Sequence, residues 1–172
     1  TYWNVWFGKT EKVCYNNSMT KNITYHYATK KDIVPLAHLA AKGHEEAKLL
    51  GDFNKKRYAE YLLKVFNNNN FFYLVRDNRK LVGALVAYKF NFVWDVKHIK
   101  TMDCFWYVYP EYRGTVMGIK LLKEYKKWAK SIPNCLEIGI ATSVNMNVER
   151  TATLLNKFNF NTIGTVHRLS HD

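Results

Sequence analysis

The strongest constraint on what this chain can fold into is the run Val108-Tyr109-Pro110-Glu111-Tyr112-Arg113-Gly114-Thr115-Val116-Met117-Gly118-Ile119-Lys120-Leu121-Leu122. Aromatic and β-branched residues from Thr101 to Tyr109 predict a strand that ends at Pro110. Beyond it Leu121, Leu122, Tyr125, Trp128 and Ala129 recur at helical spacing, so a helix begins near Val116 and breaks at Ser131-Ile132-Pro133. Between strand and helix lies a tight loop with two glycines. A helix start leaves N–H groups unpaired and carries partial positive charge. Glycines let a bulky anion reach that backbone, and Arg113, Lys120 and Lys123 add positive charge. Such a loop suits a pyrophosphate, although a plain strand-to-helix turn also uses glycine to relieve steric strain. It lacks the Gly-Lys-Ser/Thr of a nucleotide P-loop and the G-x-G-x-x-G of a dinucleotide site.

The flanking pattern embeds this segment in a mixed α/β chain. A short strand is expected over Ile23–Tyr27. Thr29-Lys30-Lys31-Asp32 has the side chains of a capping box, with Asp in place of Glu. The helix after it carries Ile33, Leu36, Ala37, Leu39 and Ala40, with Pro35 in its first turn and Gly43 at its end. A second helix runs from Lys55 to Phe66 and is stopped by Asn67 to Asn70. Strands Phe71–Arg76 and Leu81–Phe90 flank the turn Asp77-Asn78-Arg79-Lys80. After the third helix come a strand Leu136–Thr142, a helix Glu149–Phe158 and a last strand Phe160–His167. The order is β-α-α-β-β-β-α-β-α-β, without internal repeats. Residues 1–21 stand apart as an aromatic extension, alternating around Gly8 like a hairpin, and residues 22–172 read as one domain.

In both element order and motif, the chain resembles the GNAT family of N-acetyltransferases over about residues 22–168. The family signature is a strand ending Val-x-Pro-Glu-Tyr-Arg-Gly, an Arg/Gln-x-x-Gly-x-Gly/Ala loop and a helix opening Leu-Leu. Arg113 to Gly118 matches it at every signature position except Val116, which stands where the middle glycine belongs. The resemblance implies a mixed sheet whose fourth and fifth strands splay apart, with acetyl-CoA as co-substrate in the gap. Carried onto this chain, the pyrophosphate would rest on Arg113, Gly114, Thr115, Val116, Met117 and Gly118, and the pantetheine on the backbone near Val108. The family transfers the acetyl group by direct attack of an amine, so Cys104, Cys135 and Ser143 are not expected to be acylated. The implied function is N-acetylation of an amine on a small molecule, peptide or protein. The alternative is a catalytically inactive protein of the same fold, a binding or structural module associated with nucleic acid or a virion.

Two positions favour that alternative. Val116 keeps its N–H but adds a β-branched side chain beside the phosphate site. In Leu154-Leu155-Asn156-Lys157-Phe158-Asn159-Phe160, Leu155 replaces the tyrosine that protonates the leaving thiolate in the family, and Asn159 replaces a glycine. Asp103, the carboxylate within the fourth strand beside Phe105 and Trp106, is the candidate general base, its pKa raised by burial. His98 is a weaker candidate, and Glu45, Glu46 and Asp52 would attract a cationic acceptor or simply face solvent.

Composition narrows the class. A chain with 48% hydrophobic and 16% aromatic residues is not disordered. Its longest apolar runs fall short of the ~18–20 residues of a membrane span. Three cysteines without a C-x-x-C spacing exclude a disulfide framework or structural zinc, and no metal is expected. The net charge of +12 attracts polyanions, so nucleic acid is a further partner to test, yet the same charge serves solubility alone. A soluble, cytoplasmic protein without a membrane partner is expected. If residues 1–18 form an aromatic hairpin docked on the domain, deleting them lowers the melting temperature and exposes apolar surface. An unchanged melting curve would make the segment a passenger in folding.

Overall fold

The apolar run Leu81-Val82-Gly83-Ala84-Leu85-Val86-Ala87 lies at the centre of the fold, buried on both faces. An unbroken run of this kind suits a central strand covered by helices on either side. The computed structural model describes residues 22–141 and 148–164. Its elements are β1 (Ile23–Tyr27), α1 (Ile33–Glu46), α2 (Lys55–Asn67), β2 (Phe71–Asp77), β3 (Lys80–Phe92), β4 (Asp95–Val108), α3 (Met117–Lys130), β5 (Cys135–Gly139) and α4 (Val148–Lys157). The strands form one sheet in the order β1-β2-β3-β4-β5. Neighbours are antiparallel except β4 and β5, which are parallel. The mixed α/β fold expected from the sequence is therefore present.

One face of the sheet packs against α1 and α2, through Leu36, Leu39, Leu62, Phe72, Leu74 and Val86. The other packs against α3, through Val75, Val82, Leu85, Leu121, Leu122 and Tyr125. Each helix places its apolar stripe on the sheet because its buried residues recur at three- and four-residue spacing.

Several boundaries differ from the sequence reading, each for a physical reason. Helix α1 does not stop at Gly43 but runs on to Glu46. A Cβ on Gly43 would sit 3.2 Å from the Tyr107 ring, so the glycine permits close approach of helix to strand. Helix α2 does end in the asparagine run: Asn68 and Asn70 amides donate to the Lys64 and Val65 carbonyls, and Asn69 takes a left-handed φ of 52°. The hairpin of β3 and β4 extends beyond the expected ends, to a turn at Val93-Trp94. Strand β5 is shorter than expected and ends at Gly139. Residues 160–164 are not strand, and the remainder of the expected last strand lies outside the described residues. The expected hairpin in residues 1–21 also lies outside them.

The capping box forms as read, but it opens a single 3-10 turn ahead of α1. Asp32 Oδ2 accepts both the N–H and the hydroxyl of Thr29 at 2.8 Å, and Asp32 Oδ1 accepts from Arg76 of β2 at 2.5 Å. Burial alone would raise this carboxyl, but the Thr29 and Arg76 bonds outweigh it and hold it below its ordinary value. A carboxylate with a depressed folded pKa stabilises above its unfolded pKa of about 3.9, and that contribution fades as pH falls through the folded value. Asp32→Asn is expected to cost about 1–3 kcal/mol at neutral pH. Melting curves of parent and variant should converge in acid; a constant gap would show that the charge is not what matters.

Candidate active site

Strand β4 pairs with β5 only from Ile99 opposite Cys135 to Met102 opposite Gly139, yet β4 continues to Val108. From Asp103 onward its outer edge has no β5 partner, which makes a fork in the sheet. Two side chains hold the point where the strands part. The Tyr125 hydroxyl of α3 donates to the Gly139 carbonyl at 2.7 Å and lies 3.0 Å from Thr101 Oγ1. One step further out, Asp103 Oδ1 accepts the Ala141 N–H at 2.6 Å. A β-bulge falls at the same place: Asp103 pairs with Ala87 and Phe105 with Val86, leaving Cys104 as the extra residue. Such a bulge bends the strand and locally re-aims its side chains.

The open edge carries usable backbone groups. The Tyr109 N–H bonds the Val82 carbonyl at 2.9 Å, and backbone groups in an antiparallel ladder alternate sides. Trp106 and Val108 therefore turn their N–H and C=O groups away from β3, into the gap. The Val108 carbonyl is already taken, by Arg113 Nε at 2.8 Å, which leaves the Val108 N–H for a ligand.

The loop leading to α3 is built as the motif predicts. Gly114 has a φ of 76°, a left-handed conformation, and nothing lies within 4 Å of where its Cβ would be. It is glycine for the backbone turn, with open space beside it. The first N–H to bond back in the helix is that of Lys120, to the Val116 carbonyl at 2.9 Å, so Gly118 and Ile119 precede the helical ladder. Met117 N–H makes a long 3.3 Å bond to Thr115 Oγ1, which itself donates to the Tyr112 carbonyl. Among the described residues, the N–H groups of Gly114, Thr115 and Val116 find no acceptor. A Cβ on Gly118 would lie 3.6 Å from the Trp106 ring, so the helix start sits directly against the open part of β4. Val116 has an ordinary φ of −73° and a side chain 57% exposed, which explains why valine is accepted where glycine was expected.

Arg113 departs from its expected role. Its N–H bonds the Pro110 carbonyl at 3.1 Å, and its guanidinium turns back to the end of α1, where Glu46 accepts from both terminal nitrogens. Glu46 also accepts the Tyr107 hydroxyl at 2.8 Å, and the guanidinium lies 5.1 Å from the Tyr107 ring centre. The Arg113 hydrogen bond holds the Glu46 carboxyl below its ordinary value, against the opposing effect of burial. In this structure the Arg113 side chain ties the loop to α1 and to the end of β4. Glu46 is thus paired twice over, whereas Glu45 makes an exposed bond to Lys42 at 2.8 Å. Asp52 is exposed between α1 and α2.

Asp103 is a half-buried residue at the fork. Burial of its carboxyl raises its pKa to about 6, against the lowering effect of the Ala141 N–H. His98 instead pairs with Asp95 at 2.5 Å on the hairpin, before the fork begins. Cys104 is partly buried against the α1–α2 face, where desolvation pushes its thiol up to about 12, away from the thiolate form that a nucleophile needs. Ser143 lies outside the described residues. Leu155 is 6% exposed in the cluster around α3, where its side chain is core, and Asn159 takes a φ of 62° just past α4. Asparagine tolerates that conformation, so it fills the glycine's place in the motif. No group of His, Cys, Asp and Glu among the described residues could hold a metal ion.

The loop N–H groups lie beside an open glycine, and the helix start meets the unpaired Trp106–Val108 edge of β4. Gly114→Ala is expected to cost about 1–2 kcal/mol of stability through its left-handed φ. Gly118→Asp should barely move the melting temperature but sharply weaken acetyl-CoA binding in calorimetry, by crowding and charge repulsion. Equal affinity in both variants and the parent would place the ligand elsewhere.

The model of the acetyltransferase (GNAT) family matches residues 36–160. No curated protein sequence matches the chain. Among solved structures, a predicted acetyltransferase from Clostridium acetobutylicum with acetyl-CoA is 18% identical, with a TM-score of 0.67 over 86% of this chain and 96% of its own. Glucosamine-6-phosphate N-acetyltransferase from Arabidopsis thaliana is 10% identical, with a TM-score of 0.68 over 88% of this chain and 100% of its own. An aminoglycoside acetyltransferase from an uncultured soil metagenomic sample, in complex with sisomicin, is 14% identical, with a TM-score of 0.63 over 87% and 95% of the two chains. With the forked sheet and the two-glycine helix start already in place, the family match makes the conclusion plain: this chain belongs to the GNAT family of acetyltransferases.

Proposed function

We propose that the protein transfers the acetyl group of acetyl-CoA to an amine by direct attack, with Asp103 as general base. The observation that carries this reading is the placement of a carboxylate of raised pKa at the apex of the fork. An attacking amine is protonated at neutral pH and must lose a proton before its lone pair is available. Asp103 Oδ1 is engaged by Ala141, which fixes the carboxylate and leaves Oδ2 to take that proton. The new C–N bond forms as the thioester C–S bond breaks. The leaving thiolate takes its proton from water, because the matching tyrosine position is the core residue Leu155. A thiol pKa of about 8.5 makes that route affordable, at some loss of rate. Two of the proteins of similar structure are named for amino-sugar acceptors, which supports a small polar amine as the first acceptor class to try.

The inactive-module reading draws on the same Leu155 and on Val116, and acetyl-CoA affinity separates the two. Calorimetry with acetyl-CoA and CoA should show binding, and a panel of amino sugars, polyamines and peptides should release CoA. Asp103→Asn should keep the cofactor affinity while kcat falls by about 10²–10⁴-fold. Because the carboxylate must be ionised to act, the parent's kcat/KM should rise with pH through about 6, and the variant should lose that limb. Turnover of the variant at the parent rate would remove Asp103 from the chemistry, and failure of the parent to bind acetyl-CoA would sink the enzyme reading.

A further inference from the structure

The far end of the β3–β4 hairpin is built for contact that the described fold does not supply. Strand β2 accompanies β3 only as far as Ala87, and β5 meets β4 only from Ile99. Residues 88–98 thus form a two-stranded ribbon without a third strand, an arrangement of marginal stability on its own. Its two-residue turn is Val93-Trp94, between the paired residues Phe92 and Asp95. Val93 is 95% exposed, Trp94 81% and Val96 79%. Neither valine nor tryptophan is a turn former, and Asn-Gly or Asp-Gly is what a tight hairpin favours. Turn chemistry and core packing therefore both fail to account for the identity of these residues.

Behind the apolar tip stands a collar of positive charge. Lys89 and Lys97 are exposed, and Lys100 Nζ lies 5.1 Å from the Phe90 ring centre and 5.4 Å from that of Phe92. The acidic residue of the ribbon, Asp95, is engaged by the His98 ring at 2.5 Å and by the Lys97 N–H at 3.0 Å. We propose that this hairpin tip docks the protein on an anionic phospholipid surface, with Val93, Trp94 and Val96 in the interfacial layer and the lysines at the headgroups.

The chemistry favours this occupant over others. A tryptophan flanked by aliphatic residues and lysines matches the preferences of the membrane interface, and a projecting turn needs no complementary pocket. The net charge of +12 adds long-range attraction to an anionic leaflet. Single-stranded nucleic acid stacks its bases on a series of free ring faces, and here Lys100 sits over Phe90 and Phe92, which leaves Trp94 as the one exposed ring of the tip. A second copy of the chain would bring two lysine-rich ribbons together. The contact is peripheral, since no helix among the described residues is long and apolar enough to cross a membrane.

The test uses the full chain with vesicles of phosphatidylcholine alone and of phosphatidylcholine mixed with phosphatidylglycerol, followed by flotation. Binding is expected on the mixed vesicles and not on the neutral ones. The double variant Val93→Ser, Trp94→Ser should bind about tenfold more weakly or worse, with an unchanged melting temperature because both side chains lie outside the core. Lys97→Glu should weaken binding and reduce its salt sensitivity. No binding of the parent at low salt would overturn the proposal. Parent-like binding by the serine variant would also overturn it, by reducing the effect to adsorption of a basic protein. So would loss of oligonucleotide binding, or of a dimer in solution, in that variant while its vesicle binding persists.

Discussion

The parting of β4 from β5 is the constraint on which the rest of the site depends. Parallel strands that begin in register would ordinarily stay paired along their shared length. Here pairing ends at Met102 and Gly139, where the Tyr125 hydroxyl joins the Gly139 carbonyl and Thr101, and Asp103 reaches across to Ala141. The bulge at Cys104 adds local twist at the same position. Beyond it the backbone groups of Trp106 and Val108 lie on the side of β4 away from β3, without a β5 partner, and Asp103 stands at the apex with its carboxylate part-desolvated. One distortion thus shapes both the edge and the carboxylate on which the proposed function rests.

A second arrangement aligns the loop with that edge. Glu46, at the end of α1, gathers Arg113 from the loop and Tyr107 from β4, while Arg113 also holds the Val108 carbonyl. Strand β4 and the loop that follows it thus meet a carboxylate more than 60 residues earlier in the chain. The glycine at position 43 lets α1 lie close enough to Tyr107 for this to happen. The arginine of the motif thus braces the loop, whose backbone N–H groups at the helix start carry the proposed anion contact. Charge on a side chain can swing away, whereas peptide N–H groups at a helix start are fixed by the fold.

Much of this was legible in the residues because the signals are local. Helix periodicity, the asparagine stop after α2, the capping box at Thr29 and the two-glycine loop each depend on neighbours within a few positions. Asp103 was legible as a carboxylate among apolar strand residues, and it is on that position that the proposed base rests. What misled was equally local in origin. Gly43 reads as a helix stop only if the Tyr107 ring is unseen, and nothing near Arg113 in the chain announces its pairing with Glu46. Tyr125 looks like one more apolar residue on a helical stripe, and nothing near it in the chain marks its hydroxyl as the pin of the fork.

By itself the sequence determined most of the element types and their order, the membership of the loop motif and the presence of the Asp103 carboxylate among apolar residues of the fourth strand. These follow from backbone preferences and short-period patterning, which act over a turn of helix or a pair of strand residues. Tertiary structure alone decided where β4 and β5 separate, which cations and carboxylates neutralise one another, and which apolar residues remain uncovered at the hairpin tip. Those outcomes depend on contacts between segments up to 67 residues apart, as between Glu46 and Arg113, and no local pattern encodes the geometry in which they meet.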